Sequence, residues 1–301
     1  MQLHLVCATV EGKLLHTARK PTGTWYPFEE IKDQGGSVGP VLTLSCAGDH
    51  CTTALHVCAV SKDGRLRHTT YRVVDRSWSA FEDVATQVSA SLALPWLGLA
   101  SIFGQLHLCV LNRDRIRYLL RGTNGSWSTV GNVVDPQGNM VGPYYLKGAG
   151  DNNTGQLHLC GITPSRHITH LFRPVDSTTW SVLADLTPGP PGDYGAACAV
   201  LPDGLHVCGG RGRLKHLIRQ VDRHVSAPED VTGQVGTPGA FADVVCASVG
   251  EELHVCAVTA SDGRLWYTIR QANGSWSRFA EVVGDPGNVT LVSVAGLFLP
   301  G

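Results

Sequence analysis

An arginine, a tryptophan and an acidic residue recur in the same order along the chain. Around "DGRLWYTIRQANGSWSRF" (residues 262–279), Arg270 ends an apolar run, Trp276 follows an Asn-Gly turn, and Glu281 stands five residues after that tryptophan. A guanidinium presents a fork of N–H donors, a carboxylate accepts hydrogen bonds, and an indole offers a broad apolar face. These three groups suit the recognition of a sugar ring, which has vicinal hydroxyls at its edge and C–H bonds on its face.

The set occurs once in each of six repeats. The arginines are Arg19, Arg72, Arg121, Arg173, Arg219 and Arg270. The tryptophans are Trp25, Trp78, Trp127, Trp180 and Trp276, with Val225 in the fifth place. The third column is Glu30, Asp83, Asn132, Asp185, Asp230 and Glu281. The candidate carbohydrate-binding residues, which leave out the fifth repeat and Asn132, are Arg19, Trp25, Glu30, Arg72, Trp78, Asp83, Arg121, Trp127, Arg173, Trp180, Asp185, Arg270, Trp276 and Glu281.

The same columns also have a purely structural interpretation, which stays open at this point. Arginine and acid on neighbouring strands would form an ion pair beneath a packed tryptophan, repeated because the unit is repeated. The uneven losses, Val225 for tryptophan and Asn132 for an acid, favour binding. Redundant binding sites tolerate the loss of one copy more readily than a structural contact does.

A leucine-histidine pair marks each repeat. Its histidines follow one another at intervals of 48 to 52 residues and are His4, His56, His107, His158, His206 and His254. A period of this length indicates a solenoid, a propeller or an array. Each unit contains four short runs rich in β-branched and aromatic residues and bounded by Gly, Asp and Asn, for example 41–47, 55–60, 65–72 and 77–84. Such runs are typical of an antiparallel strand meander.

Six four-stranded meanders predict an all-β fold, a six-bladed β-propeller. We expect one domain over residues 1–301, with repeats at about 3–54, 55–105, 106–156, 157–204, 205–252 and 253–301. The first run of each meander is poorest in charge and should line the central axis, whereas the run that begins at the tryptophan should lie outermost. The sequence begins with a second-type strand and ends with a first-type strand at 289–297. These two strands should pair and close the ring without an open edge.

Composition limits the partners that the protein is expected to have. The formal net charge is −1, which gives no attraction to nucleic acid, and no run approaches the roughly 20 apolar residues of a membrane-spanning helix. No signal peptide is visible, so we expect a cytoplasmic protein or one released by a non-classical route. The expected partners are glycans, without a cofactor or membrane insertion. A homodimer would add sites, but nothing in the sequence determines one.

Repeated cysteines and histidines are interpreted as core residues. Six cysteines follow the leucine-histidine pairs, and repeated cysteines of this kind are usually small buried side chains. Three disulfides are the alternative: Cys198 with Cys208 and Cys246 with Cys256 across a hairpin, and Cys46 with Cys51 within a loop. A metal site would need three or four donors around one ion. We expect instead that each leucine-histidine histidine bonds a backbone group between blades.

A second aromatic column alternates histidine with tyrosine. Its members are His16, His68, Tyr118, His170, His216 and Tyr267. The exchange keeps a flat, half-polar side chain but would abolish coordination or proton transfer by an imidazole. We therefore interpret this column as packing, with a hydrogen bond at the tip of the ring.

The motif "DGRLWYTIR…NGSWSRFAEV", preceded by "LHVCAV", resembles the repeat of bacterial propeller lectins of the Photorhabdus type and their tectonin-like relatives. More distantly, the arrangement is similar to fungal six-bladed fucose-binding lectins, whose sites use an arginine, an acid and a tryptophan. The resemblance implies a multivalent carbohydrate-binding protein with sites between adjacent blades and with fucose or O-methylated sugars as ligands. The six copies differ from the seven blades usual in the Photorhabdus-type family.

Two other functions are compatible with a propeller fold. A protein-interaction scaffold would use segments that depart from the repeat, 92–99 and 141–148, with Trp96, Tyr144 and Tyr145 as its candidate residues. An enzyme is not expected, because the first runs are apolar with Asp243 as their lone acid. The sequence also contains no paired carboxylates, no Gly-x-Ser-x-Gly and no complete sialidase-type Asp-box.

Overall fold

Six antiparallel sheets form the blades of a six-bladed β-propeller, which confirms the fold predicted from the repeats. The structure is a computed structural model and describes residues 1–32, 38–88, 95–112, 115–134, 136, 145–186, 196–210, 212–284 and 286–297. From the centre outward, blade 1 contains β25 (Val289–Leu297), β1 (Gln2–Thr9), β2 (Leu14–Arg19) and β3 (Glu29–Glu30). Blade 2 contains β4 (Val41–Asp49), β5 (Ala54–Ser61) and β6 (Leu66–Arg72), with β7 (Ser77–Trp78) and β8 (Glu82–Asp83) both on its outer side.

The other four blades repeat this order. Blade 3 contains β9 (Pro95–Ile102), β10 (Gln105–Asn112), β11 (Arg115–Arg121) and β12 (Trp127–Asn132). Blade 4 contains β13 (Tyr145–Asp151), β14 (Gln156–Ile162), β15 (Ile168–Pro174) and β16 (Ala184–Asp185). Blade 5 contains β17 (Ala196–Leu201), β18 (Gly204–Gly209), β19 (Lys215–Arg219) and β20 (Glu229–Asp230). Blade 6 contains β21 (Phe241–Val249), β22 (Glu252–Thr259), β23 (Leu265–Arg270) and β24 (Ala280–Glu281).

The second strand of each blade is buried on both faces because neighbouring blades cover it. All eight residues of β5 are buried, and one core cluster joins Cys58 and Val60 of that strand to Leu99 and Leu108 of blade 3. An alternation of apolar and polar residues is therefore weak in these strands, as it is in any strand packed from both sides. The hydrophobic core of the propeller lies mainly between blades.

The ring closes through the two ends of the described chain. Strand β25 pairs antiparallel with β1, from Gln2 opposite Leu297 to Thr9 opposite Val289. The expected closure is thus observed, and blade 1 combines strands from both ends of the sequence. An inner edge that would otherwise be unpaired is removed in this way.

Close backbone approach characterises the ring of inner strands. In three blades the inner strand has a glycine opposite the leucine of the leucine-histidine pair in the second strand. These glycines are Gly48, Gly150 and Gly296. A Cβ at Gly48 would lie 2.1 Å from the carbonyl oxygen of Gly296, and a Cβ at Gly296 would lie 2.1 Å from that of Ser248. Only glycine allows blades to approach this closely, so these positions fix the spacing around the axis.

Two five-residue helices, α1 (Val84–Val88) and α2 (Val231–Val235), follow outer strands. Helix α2 begins after Asp230, whose carboxylate accepts a 2.9 Å hydrogen bond from the backbone N–H of Gly233. Neither helix, nor any other part of the described ranges, offers a helix with the length and apolar character needed to cross a membrane.

The strand register does not favour the disulfides considered across the hairpins. Cys198 lies opposite Val207, and Cys246 lies opposite Val255, so each cysteine is one residue out of step with its proposed partner. Because successive side chains in a strand point to opposite faces, Cys198 and Cys208 face different neighbours. All ten cysteines are free thiols, and Cys51 alone of them is exposed.

Candidate functional site

Clefts between adjacent blades bring the repeated polar and aromatic residues together. We name each cleft by its two blades, so that cleft 2/3 lies between blades 2 and 3. In cleft 2/3, blade 2 contributes the buried His56 and His68, and blade 3 contributes Arg121 and Trp127. Arginine and tryptophan therefore meet the aromatic columns of the preceding blade, not those of their own.

A pair of stacked aromatic rings forms the floor of every described cleft except 6/1. His56 Nδ1 and His68 Nε2 are 3.0 Å apart, and the same bond joins His4 to His16 and His158 to His170. For these histidines the expected bond to a backbone group between blades is therefore wrong: the partner is a ring of the next strand in the same blade. In blade 3 that partner is a phenol, with His107 Nδ1 2.6 Å from the Tyr118 hydroxyl.

Burial keeps these histidines neutral at physiological pH. Desolvation lowers the pKa of His56 to about 3, and that of His4 and His158 to about 4, because a buried imidazolium would lose its hydration. In the described ranges no group of three or more His, Cys, Asp or Glu side chains is arranged to hold a metal ion. The rings act as a flat, hydrogen-bonded base.

Glu82 connects the two sides of cleft 2/3. It accepts a hydrogen bond from Nδ1 of His68, which requires the Nδ1–H tautomer because an ionised carboxylate cannot donate. It also accepts from Trp127 Nε1 at 3.2 Å. Arg121 Nε lies 3.4 Å from the same carboxylate, which is ion-pair distance without hydrogen-bond alignment. One carboxylate thus holds an imidazole of its own blade and an arginine and indole of the next.

Cleft 5/6 repeats this arrangement. Glu229 accepts from Trp276 Nε1 at 3.1 Å, from His216 Nδ1 at 3.1 Å and from Gln234 Nε2 at 2.7 Å. Burial alone would raise the pKa of Glu229, but these hydrogen bonds outweigh it and lower that pKa. The carboxylate is therefore ionised at neutral pH and has three donors.

The acid that faces the clefts stands one residue before the predicted acid column. Register places His68 opposite Glu82, whereas Asp83 lies opposite Arg67 on the other face of the sheet. The predicted acids instead make local contacts outside the clefts: Glu30 with Lys32, Asp83 with Thr86, Asp185 with His167, Asp230 with Arg213 and Glu281 with Arg264. The structure therefore does not bring Glu30, Asp83, Asp185 or Glu281 to the arginine and tryptophan.

Tyr71 occupies the arginine position in blade 2. It lies opposite Leu55 and Trp78, just as arginine lies opposite leucine and tryptophan in blade 3, where Arg121 pairs with Leu106 and Trp127. Arg72 is one residue further on, is exposed, and forms a 2.5 Å ion pair with Asp75. In every repeat the arginine position lies three residues after the histidine-tyrosine column, and counting from His68 in this way gives Tyr71 instead of Arg72.

The tryptophans are wedges between blades, and they differ in accessibility. Each meets the second aromatic column of the preceding blade edge-on, for example Trp127 against His68 with centroids 5.4 Å apart. Trp25, Trp127 and Trp180 are only 4–8% exposed and have little face to offer a ligand. Trp78 and Trp276 are half-buried. The structural interpretation therefore suits the first three, and binding remains open for the last two.

Three clefts have no acid at the position of Glu82. Gly131, Ala184 and Ala280 stand opposite Tyr118, His170 and Tyr267 in blades 3, 4 and 6. Arg173 fills cleft 3/4: it is 3% exposed, donates to the Tyr118 hydroxyl at 2.7 Å, and stacks over that ring at 4.2 Å. In cleft 6/1, Arg19 lies over the Tyr267 ring at 5.5 Å.

Ala184→Glu is expected to stabilise the protein by about 1 kcal/mol, the typical net value of one hydrogen bond. Nδ1 of His170 is buried and, within the described ranges, has no hydrogen-bond partner. A glutamate at 184 would accept from it as Glu82 does from His68. Ala280→Glu is the matched control, because Tyr267 has no Nδ1. Urea denaturation at pH 7 measures the free energy of unfolding of each variant. An equal change in Ala184→Glu and Ala280→Glu would contradict the prediction.

Within the part of the chain that the structure describes, open space lies in clefts 1/2, 2/3 and 4/5. The cavity volumes are 160 Å³ in cleft 1/2, 390 Å³ in cleft 2/3 and 280 Å³ in cleft 4/5. Cleft 2/3 is lined by His56, by Arg72 and Arg121, and by the hydroxyls of Thr70 and Ser79. The Trp78 ring packs on the other face of blade 2, against His16 in cleft 1/2. Cleft 1/2 is lined by Tyr26, Glu29 and Tyr71 among others. These sizes suit a single small ring better than a large ligand.

Solved structures share this architecture. AofleA from Arthrobotrys oligospora has a TM-score of 0.69 at 12% identity and covers 99% of this chain and 87% of its own. The fucose-specific lectin from Aleuria aurantia has a TM-score of 0.63 at 14% identity, covering 93% and 90%. The chain has the fold of six-bladed propeller lectins. The BP39L lectin from Burkholderia pseudomallei, with a TM-score of 0.61 at 17% identity, covers 94% of this chain and 81% of its own.

This likeness concerns the fold alone. No protein-family model and no curated protein sequence matches the chain. Because one fold hosts many functions, the function has to be argued from the clefts themselves.

Proposed function

We propose that the protein is a carbohydrate-binding lectin whose sites lie in the open clefts between blades. The observation that carries this proposal is cleft 2/3. Its 390 Å³ cavity combines the His56 ring with Arg72, Arg121 and the hydroxyls of Thr70 and Ser79. A sugar ring would place its C–H face over the His56 ring and its hydroxyls on the guanidinium and hydroxyl groups.

Glu82 gives this cleft its rigidity. Held by His68 and by the Trp127 indole N–H, it keeps the Arg121 guanidinium in place before a ligand arrives. Preorganised donors lose less freedom on binding and so bind more tightly. The buried histidine pair beneath adds a floor that cannot shift.

The proposed ligands are fucose or O-methylated sugars. A point mutant of the Aleuria aurantia lectin, which shares the fold, has been solved with Fucα1-6GlcNAc and with α-methyl-L-fucoside. The small cavities, and the Tyr26 and Tyr71 rings that line cleft 1/2, suit a sugar that carries a methyl group. A relationship to Photorhabdus-type or tectonin-like lectins stays a prediction.

Several sites on one disc would convert weak binding into useful avidity. A single monosaccharide site with a millimolar dissociation constant contributes only about −4 kcal/mol. Simultaneous engagement of clefts 1/2 and 2/3 on a dense glycan surface would multiply the apparent affinity. Repetition of the cleft is then part of the mechanism, and a homodimer would extend it.

Titration calorimetry with L-fucose tests the proposal. We expect more than one sugar per chain, and Arg121→Gln should remove one of them with a shift of a few degrees at most in the melting temperature. Arg65→Gln is the matched control and should bind as the parent does, because Arg65 is exposed and forms an ion pair with Asp63 two residues away. Unchanged stoichiometry in Arg121→Gln would assign that arginine to structure, and absence of binding to any glycan on an array would refute the proposal.

A protein-interaction scaffold is the second candidate, and one surface feature favours it. Trp96 is 38% exposed and packs on Tyr145 at 4.7 Å, while the Tyr145 hydroxyl donates to Asp243 at 3.1 Å. These residues lie at the starts of inner strands, around one mouth of the axis. Tyr144, the third residue of this hypothesis, lies outside the described residues. Trp96→Ala would abolish partner capture on this hypothesis and leave fucose binding unaltered.

A further inference from the structure

Cleft 4/5 differs from the other clefts in two residues that together change its charge. Ala184 stands where clefts 2/3 and 5/6 have a glutamate, and Val225 stands where the other blades have a tryptophan. The first change removes the carboxylate that would neutralise Arg219. The second removes the indole that would fill the space above it. An arginine and an open 280 Å³ cavity result.

Two arginines face this cavity without a carboxylate partner. Arg219 and Arg223 both line it, and within the described ranges neither forms an ion pair. Burial and then the positive charge of Arg223 lower the pKa of Arg219, so the two guanidiniums lie close enough to repel each other. A guanidinium nevertheless stays protonated near neutral pH. Uncompensated positive charge in a partly buried cleft attracts an anion.

Local structure holds the second arginine at the rim. Arg223 has a φ of 73°, a left-handed conformation uncommon for residues other than glycine. Its backbone N–H donates to the Gln220 carbonyl at 2.9 Å, which closes the turn between β19 and the segment that follows. The turn therefore places a long cationic side chain at the cleft entrance, where glycine or asparagine would serve the backbone better.

The remaining groups around the cavity do not cancel this charge. Asp151 is the one acid among the described lining residues, and its carboxylate already accepts from Thr154 Oγ1 at 2.5 Å and from the Asn153 N–H at 2.8 Å. His158 is neutral because burial lowers its pKa to about 4. Counting Arg219 and Arg223 against Asp151 leaves one net positive charge facing the cavity.

Clefts 2/3 and 5/6 neutralise their arginine. In cleft 2/3, Arg121 lies 3.4 Å from Glu82, and in cleft 5/6, Arg270 lies 3.7 Å from Asp203. In cleft 4/5 the Arg219 guanidinium lies over the Phe172 ring, 5.6 Å from its centroid. This ring also provides an apolar wall, together with Val221 and Leu201.

We propose that cleft 4/5 binds a sugar that carries an anionic group, a carboxylate or a sulfate, with the anion between Arg219 and Arg223 and the ring against Phe172. A planar guanidinium matches a carboxylate or sulfate with two parallel hydrogen bonds. The polar groups of Gln156 and Gln220 line the same cavity and would receive the hydroxyls. This inference rests on the proposed function, because it assigns one cleft of the lectin to a different class of sugar.

Calorimetric titration of the full chain with D-glucuronate, D-glucose 6-sulfate and D-glucose tests the inference, with sodium acetate and sodium sulfate as anions without a ring. We expect the first two sugars to bind at one site per chain and D-glucose to bind at least tenfold more weakly. Arg219→Gln should weaken glucuronate binding about tenfold to a hundredfold, the value of a lost charged hydrogen bond. Raising the salt concentration should weaken it further, because salt screens the attraction.

Controls separate this inference from the proposed function. Arg65→Gln removes an equal charge elsewhere and should leave glucuronate binding unchanged. Arg223→Gln, at an exposed turn position, repeats the test should Arg219→Gln fold poorly, which thermal unfolding shows. Glucuronate binding equal to that of D-glucose, or unaffected by both substitutions, overturns the inference, as does acetate binding as tightly as glucuronate. If Arg219→Gln still binds L-fucose, the proposed lectin function is supported even when this inference fails.

Discussion

Deletion of residues 289–301 is expected to abolish cooperative folding. The deletion removes β25, the inner strand of blade 1, in which Val289, Val292, Val294 and Leu297 are buried. Each such side chain contributes about 1.5–3 kcal/mol when buried, so the four contribute about 6–12 kcal/mol. That sum is comparable with the whole stability of a typical domain, about 5–15 kcal/mol. The loss also leaves the inner edge of β1 unpaired.

Circular dichroism and thermal unfolding measure this effect. Deletion of residues 298–301 alone is the control, since it leaves β25 intact, and it should melt as the parent does. Adding a synthetic peptide of residues 287–301 to the longer deletion should restore part of the β-sheet signal, because an open propeller offers the peptide its strand position. A longer deletion that retained the parent's melting temperature would contradict the role of β25 in closing the ring.

The propeller was predictable because its signal is repeated. Six copies of the leucine-histidine pair at intervals of 48 to 52 residues average out local irregularities, and four strand-like runs per copy leave little choice of fold. The closing strand was predictable for the same reason. A first-type run at the C-terminal end and a second-type run at the N-terminal end each lacked the neighbour that every other copy has.

Side-chain direction was harder to predict than strand position. Glu82 and Asp83 are adjacent acids, and only the register with His68 decides which of them faces the cleft. A shift of one residue exchanges the two faces of a strand, so spacing alone selects the acid column that faces away from the cleft. The same kind of shift in blade 2 exchanged Tyr71 for Arg72 at the arginine position.

Contacts between blades were the second feature that the sequence alone could not predict. Trp127 bonds Glu82, which stands 45 residues earlier, and Trp276 bonds Glu229 across a similar distance in sequence. An interpretation within one repeat pairs each arginine with the acid that follows it. In the folded ring the acid comes from the preceding blade. Once the register is known, the sequence shows which copies have a glutamate opposite the second aromatic column. His68 and His216 have one, Glu82 and Glu229. Tyr118 and Tyr267 lie opposite Gly131 and Ala280 instead.

Gly48→Ala is expected to destabilise the protein by about 3 kcal/mol or more, the upper range for a forced steric contact. The new Cβ would lie 2.1 Å from the Gly296 carbonyl oxygen, a backbone atom that has no alternative rotamer. Gly296 cannot yield, because it is paired with Leu3 and its own Cα already lies close to the Ser248 carbonyl. Any backbone movement that relieved this clash would displace the inner strand of the next blade as well.

Thermal unfolding measures the effect, which corresponds to a fall of roughly 6 °C or more in melting temperature at about 2 °C per kcal/mol. Gly212→Ala is the matched control, because a Cβ there meets nothing within 4 Å and should cost almost nothing. Equal melting temperatures in the two variants would show that the inner strands can spread apart. In that case the diameter of the ring would be set by the packing between second strands, and the glycines of the inner ring would be a consequence of that diameter instead of its cause.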